Sequence, residues 1–124
     1  MNVARIIFGV IYLIGAVANL VMVIMSPEIY YAFADGAFVQ FYREAWNTVV
    51  VPNLFFFIAL TIIFEITLGL LFLISRRFLK IALIFGIIFC LGLVPFGIEF
   101  VYGNIPLALI QGFLLWKEAK TGTA

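Results

Sequence analysis

From Val3 to Met25 the chain is apolar except at Arg5 and Asn19, and three further runs of similar character follow it. Runs of this length decide the solvent before any motif is read, because about 20 consecutive apolar residues carry a helix across the hydrocarbon of a bilayer. A water-soluble surface could not be built around them. Of the 124 residues, 67% are hydrophobic and only 10% charged, where a soluble domain carries about a quarter. The expected fold class is an all-α membrane protein, a four-transmembrane-helix bundle forming a single domain over residues 1–124. Its lipid-facing surface makes the bilayer the first expected partner.

The expected helices cover about 3–25, 52–75, 78–97 and 105–119, with an external loop at 26–51. Pro52 suits the first turn of the second helix, where its missing N–H costs little. The third run follows the basic turn Arg76-Arg77-Phe78-Leu79-Lys80. The fourth is the shortest, Ile105 to Trp116, and completes its span with the stems of Lys117 and Lys120 reaching for the interface. Asn104 is its expected N-cap, with Pro106 in the first turn. Arg5, an apolar run and Ala16-Val17-Ala18 together look like a cleavable leader. The run continues through Val21 to Met25, however, so an uncleaved first helix is expected.

Basic residues set the orientation. With four spans, Arg5, Arg76, Arg77, Lys80, Lys117 and Lys120 share one side, six of the seven basic residues, and Arg43 alone lies on the other. The positive-inside tendency then places both termini in the cytoplasm of a multi-pass protein of the plasma (inner) membrane. In the long loop, Phe38, Phe41, Tyr42, Ala45 and Trp46 recur at helical spacing. Gln40, Arg43, Glu44 and Asn47 fall on the other side. This predicts an amphipathic external helix, acting either as an interfacial cover or as a lid over a lateral pocket. Tyr30, Tyr31 and Trp46 suit the headgroup zone.

The chemistry-bearing residues are few. The chain has no histidine, which removes bis-histidine haem ligation, and its one cysteine, Cys90, removes a redox pair, an intrachain disulfide and any Cys/His zinc site. Cys90 reads as an apolar filler. No catalytic constellation, nucleotide loop or metal spacing is present, so the expectation is a chain that is not an enzyme on its own and binds no nucleic acid.

Glu65 stands out, within about 2 Å of the midplane of the second span at 1.5 Å per residue. A carboxylate there must face the interior and find partners, or be protonated. Thr61, Glu65 and Gly69 share one face, with Gly69 allowing close helix approach. On the first helix Tyr12, Gly15 or Ala16, and Asn19 share the inward face. Depth arithmetic predicts a midplane polar layer of Tyr12, Glu65 and Gln111, with Asn19 closer to Thr61 than to Glu65. These five polar residues are the candidate site, and Gly15 and Gly69 the close-packing positions.

The first span, Arg5-Ile6-Ile7-Phe8-Gly9 onward with a later small-residue cluster, and the second, with Glu65 preceding Gly69-Leu70-Leu71 and the basic turn at Arg77, together resemble the DoxX-like superfamily of small four-helix membrane proteins. The resemblance covers most of the chain. It implies a four-helix bundle, in some members a subunit of quinone-linked redox systems. In related sterol-isomerase-like and sigma-two-like bundles, intramembrane acids lie around a lipid-derived ligand, and Glu65 is the position that would carry this over. Three readings follow. The chain is a non-catalytic accessory or partner-binding subunit of a membrane complex, through protein partners or a homo-oligomer. Alternatively it binds a hydrophobic ligand, a quinone, isoprenoid or other lipid, around Glu65, with no cofactor held by its own ligating residues. The third is a small proton-coupled transporter.

Overall fold

The computed structural model describes residues 2–74 and 76–121, excepting the side chains of Asn2 and Thr121, and among them the regular structure is entirely helical. Four helical stretches are long and apolar enough to cross a membrane: Val3–Met25, Gln40–Ile74, Arg76–Phe96 and Ile98–Lys120. The first lies within α1 (Asn2–Met25), and a tight turn of helix, Pro27–Ala32, follows it. Next come α2 (Gln40–Ala45) and α3 (Leu54–Ile74), then α4 (Leu79–Leu93) and α5 (Ile98–Thr121). The start of α1, the end of α5 and the turn around Arg76 lie at one end, and the long loop lies at the other.

The loop helix and the second span are one continuous helical rod rather than separate elements. Between α2 and α3 the helix widens over Trp46–Val50 and tightens over Val51–Asn53. Pro52 explains the irregularity, since it donates no backbone bond and its ring crowds the carbonyl four residues earlier. The amphipathic face differs from the expected one. Tyr42, Ala45 and Trp46 are half-buried, whereas Phe38 and Phe41 are 60% and 72% exposed. Helix begins only at Gln40, so Phe38 is out of phase, and the inward stripe is Tyr42, Trp46 and Val50. Tyr30, expected in the headgroup zone, is instead buried at 1% exposure.

The fourth span starts at Ile98, seven residues before the expected start at 105. Asn104 is no cap: its amide donates to the Phe100 carbonyl at 3.0 Å, one turn back, and Pro106 sits inside the helix. The true break is Gly97. Its φ of 145° is a conformation that side-chain-bearing residues rarely adopt. A Cβ there would also come 3.0 Å from the Gly36 carbonyl oxygen. Phe38 N–H donates to the Pro95 carbonyl at 2.8 Å, fastening the loop to this turn.

In the membrane, burying apolar surface between helices gains little, so close approach and polar contacts hold the bundle. α1 packs along α3 and α4 along α5, while α3 and α4 touch far less. At the α1–α3 crossing, Gly9 and Gly69 face each other. A Cβ on either would lie 3.0–3.1 Å from the other's carbonyl oxygen. Phe8, Tyr12, Leu68, Phe72, Leu79 and Leu83 form the larger core, and Tyr12 stacks on Phe72 at 5.8 Å. A second core of Val23, Tyr30, Leu54 and Ile58 lies under the loop.

Four of the basic residues assigned to topology have specific contacts. Arg5 Nη1 donates to the Phe72 and Leu73 carbonyls at 3.0 and 3.2 Å, capping the end of α3. Arg76 Nη2 pairs with buried Glu118 at 2.9 Å, a contact the sequence reading did not foresee. Arg77 lies over the Phe78 ring at 5.8 Å, and Lys120 over the Trp116 ring at 5.1 Å. Lys117 is exposed and Lys80 half-buried.

Candidate functional site

The polar residues of the interior form two groups rather than one layer. In the first, Asn19 Nδ2 donates to Glu65 Oε1 at 2.6 Å and to the Gly15 carbonyl at 3.2 Å. Tyr30 completes it, its hydroxyl donating to Asn19 Oδ1 at 2.6 Å, and Trp46 Nε1 donates to the Tyr30 carbonyl at 2.7 Å. A chain of contacts thus runs from Glu65, 4% exposed, through Asn19 to the loop. Burial, and then the Glu65 carboxylate, hold the Tyr30 hydroxyl above its ordinary pKa, keeping it a donor. Gly15 supplies the space: a Cβ there would fall on Glu65 Oε2.

In the second group the Tyr12 hydroxyl donates to Gln111 Oε1 at 3.1 Å, and Cys90 Sγ lies 3.7 Å from both Tyr12 Oη and Gln111 Nε2. Gln111 is fully buried. Cys90 is therefore a weak polar partner between two helices as well as a filler. Gly86 makes the room, because a Cβ there would strike Gln111 Oε1 and come 2.7 Å from Tyr12 Oη.

Two expectations are thus corrected. Asn19 pairs with Glu65, not with Thr61, whose hydroxyl donates to its own helix at the Phe57 carbonyl, 3.0 Å away. Tyr12 and Gln111 do meet, but Glu65 is not hydrogen-bonded to either. The reason is the lean of side chains toward their helix N-terminus. α1 and α3 run in opposite directions, so Asn19 leans away from the loop end while Glu65 leans toward it, and they converge. Tyr12 leans away from Glu65. Depth arithmetic on Cα positions carries no such lean.

Beside the first group lies a cavity of about 220 Å³. Its walls are mainly apolar and aromatic, with Phe33, Trp46, Phe57, Ile58, Phe89 and Phe96 among them, and Asn19, Tyr30 and Thr61 are its polar wall residues. Glu65 is one contact behind, positioning Asn19. Stacked and edge-on rings form the roof: Phe33 on Trp46 at 5.5 Å, Trp46 against Phe96 at 5.2 Å, and Phe33 and Phe96 each 5.6 Å from Phe100. Arg43 holds this segment by donating to the Ala37 carbonyl at 3.1 Å and reaching the Ala34 carbonyl at 3.5 Å.

Tyr30, Gly9, Gly86 and Glu118 are not among the site or close-packing residues expected from the sequence. Gly9 was within reach, since the rise arithmetic that places Tyr12 also brings Gly9 level with Gly69. The other three are set by tertiary contact. No family model, no curated protein and no solved structure matches the chain.

Proposed function

We propose that the chain binds a hydrophobic, lipid-derived molecule of the quinone or isoprenoid class in the cavity under its loop. The cavity itself carries this reading: apolar and aromatic walls with three polar side chains gathered on one side are the usual make-up of a small-molecule pocket. Its polar groups also suggest which head group suits it. The Tyr30 and Thr61 hydroxyls already spend their protons on Asn19 and Phe57, leaving lone pairs toward the cavity. A ligand that donates a hydroxyl, a quinol or an isoprenyl alcohol, matches better than one that only accepts. Glu65 contributes by holding Asn19 in place. With the six basic residues facing the cytoplasm, the cavity lies on the outer-leaflet side, and the resemblance to DoxX-like bundles, some of them subunits of quinone-linked systems, is in keeping with a quinone-class ligand.

Trp46 provides the assay, because it lines the cavity while Trp116 lies near the other end. Titrating detergent-purified protein with decyl-benzoquinone should quench Trp46 emission saturably in the wild type and in Trp116→Phe. In Thr61→Phe, which fills the cavity, the apparent affinity should fall at least tenfold. The corresponding quinol should displace the quinone. Quenching that never saturates and is identical in Thr61→Phe would report mere partition into the micelle and remove the reading.

A further inference from the structure

Resting on that reading, we propose that the ligand is a linear, long-chain amphiphile whose tail leaves the cavity sideways into a slot between α3 and α4. Further apolar hollows adjoin the cavity. A groove of about 340 Å³ shares Phe57, Thr61 and Phe89 with it and continues past Leu60 and Ile88. A further hollow of about 210 Å³ shares Phe64 and Phe85 with that groove and reaches Leu68 and Leu71. On α3 the walls are Thr61, Phe64, Leu68 and Leu71, spaced three and four apart, which is one continuous face. From Thr61 to Leu71 that face is about 15 Å long, half the hydrocarbon thickness. Head cavity and slot together therefore fit a head near Asn19 with an extended chain laid along the helices.

The slot's chemistry matches a tail and excludes a second head. The hydroxyl of Thr67, a wall residue of the hollow, donates to its own helix at the Ile63 carbonyl, 2.8 Å away. Apart from Thr61, shared with the cavity, the remaining walls are hydrocarbon and rings, with Phe64 stacked on Phe89 at 5.2 Å and edge-on to Phe85 at 6.5 Å. The seam exists because the bundle's close packing lies elsewhere, within the α1–α3 and α4–α5 pairs. A tail moving from lipid into this slot exchanges one apolar surrounding for another, so its position reports the slot better than affinity does.

The test uses decyl-benzoquinone carrying a diazirine on the last carbon of its chain, photolysed with the full chain in detergent. Tail adducts should map to the stretches 64–71 and 85–89. Ile88→Trp narrows the groove at a residue outside the cavity walls that is 60% exposed, and should cut adducts at 64–71 at least fivefold. Adducts spread evenly over the lipid-facing residues of α1 and α5, or confined to Phe33 and Trp46, overturn the slot. Saturable Trp46 quenching in the same sample then still supports the cavity, whereas its absence removes the cavity reading itself.

Discussion

Gly69→Leu should strongly destabilise the bundle. A Cβ at this position meets Leu13 Cγ at 2.8 Å and the Gly9 carbonyl oxygen at 3.0 Å, so the first added atom already presses on backbone. Backbone cannot rotate away as a side chain can. An isobutyl group forces α1 and α3 apart along the best-packed contact in the molecule. Overpacking typically costs 1–3 kcal/mol, and here the loss should reach about 3 kcal/mol or more. Gly92→Leu and Gly103→Leu are the controls, since a Cβ at either position meets nothing within 4 Å. Thermal unfolding in detergent, followed by tryptophan emission, should show a fall of more than about 10 °C for Gly69→Leu, with the controls close to wild type. Equal behaviour of the three variants would contradict the crossing described for α1 and α3.

Asn19→Leu should cost nearly as much and should also disable binding. The change preserves volume but strips the partner from the buried Glu65 carboxyl and the short side-chain acceptor from the Tyr30 hydroxyl, leaving it only the backbone carbonyl of residue 19 at 3.3 Å. Leaving buried polar groups unpaired costs about 1–3 kcal/mol each. Glu65→Gln keeps an acceptor for Asn19 Nδ2 and should be mild. The double variant Asn19→Leu/Glu65→Leu removes both partners of that bond, and should recover much of the stability. It cannot recover the loop, because Tyr30 still lacks Asn19 Oδ1. Hydrogen exchange over 27–33 should therefore be faster in both the single and double variants, and decyl-benzoquinone affinity at least tenfold weaker. Wild-type exchange in that segment would show that Asn19 does not hold the loop.

What could be read beforehand follows from what each kind of signal encodes. Lipid imposes a length requirement, and length is visible in one dimension, so the four apolar spans are legible. Depth is nearly as accessible, which is why the sequence brings Tyr12 and Gln111 together. Direction is not: depth matches Glu65 to Tyr12, whereas the lean of its side chain carries it to Asn19. The start of the fourth span was masked by polar residues. Glu99, Asn104 and Pro106 imitate a helix opening at 104, and only the backbone of Gly97 shows that it opens at Ile98. Phe41 shows a related failure, because five aromatic or small residues at helical spacing fit an inward stripe until the helix start and the widened turn at Trp46–Val50 fix its phase.

The seam between α3 and α4 is fastened at both ends, and between them it is crossed by apolar contacts such as the Phe64–Phe89 stack. At one end the chain itself joins the two helices. At the other the Phe38–Pro95 backbone bond and the rings around Phe96 bind the loop to the turn after α4. Between those points, among the described residues, the hydrogen bonds made by α3 side chains go to α1 or to its own backbone. Such an opening behaves like a buttonhole rather than a jaw: it can bow at mid-length but cannot swing wide. A supple chain threads through it edge-on, while a rigid plate of fused rings would have to undo one of its ends.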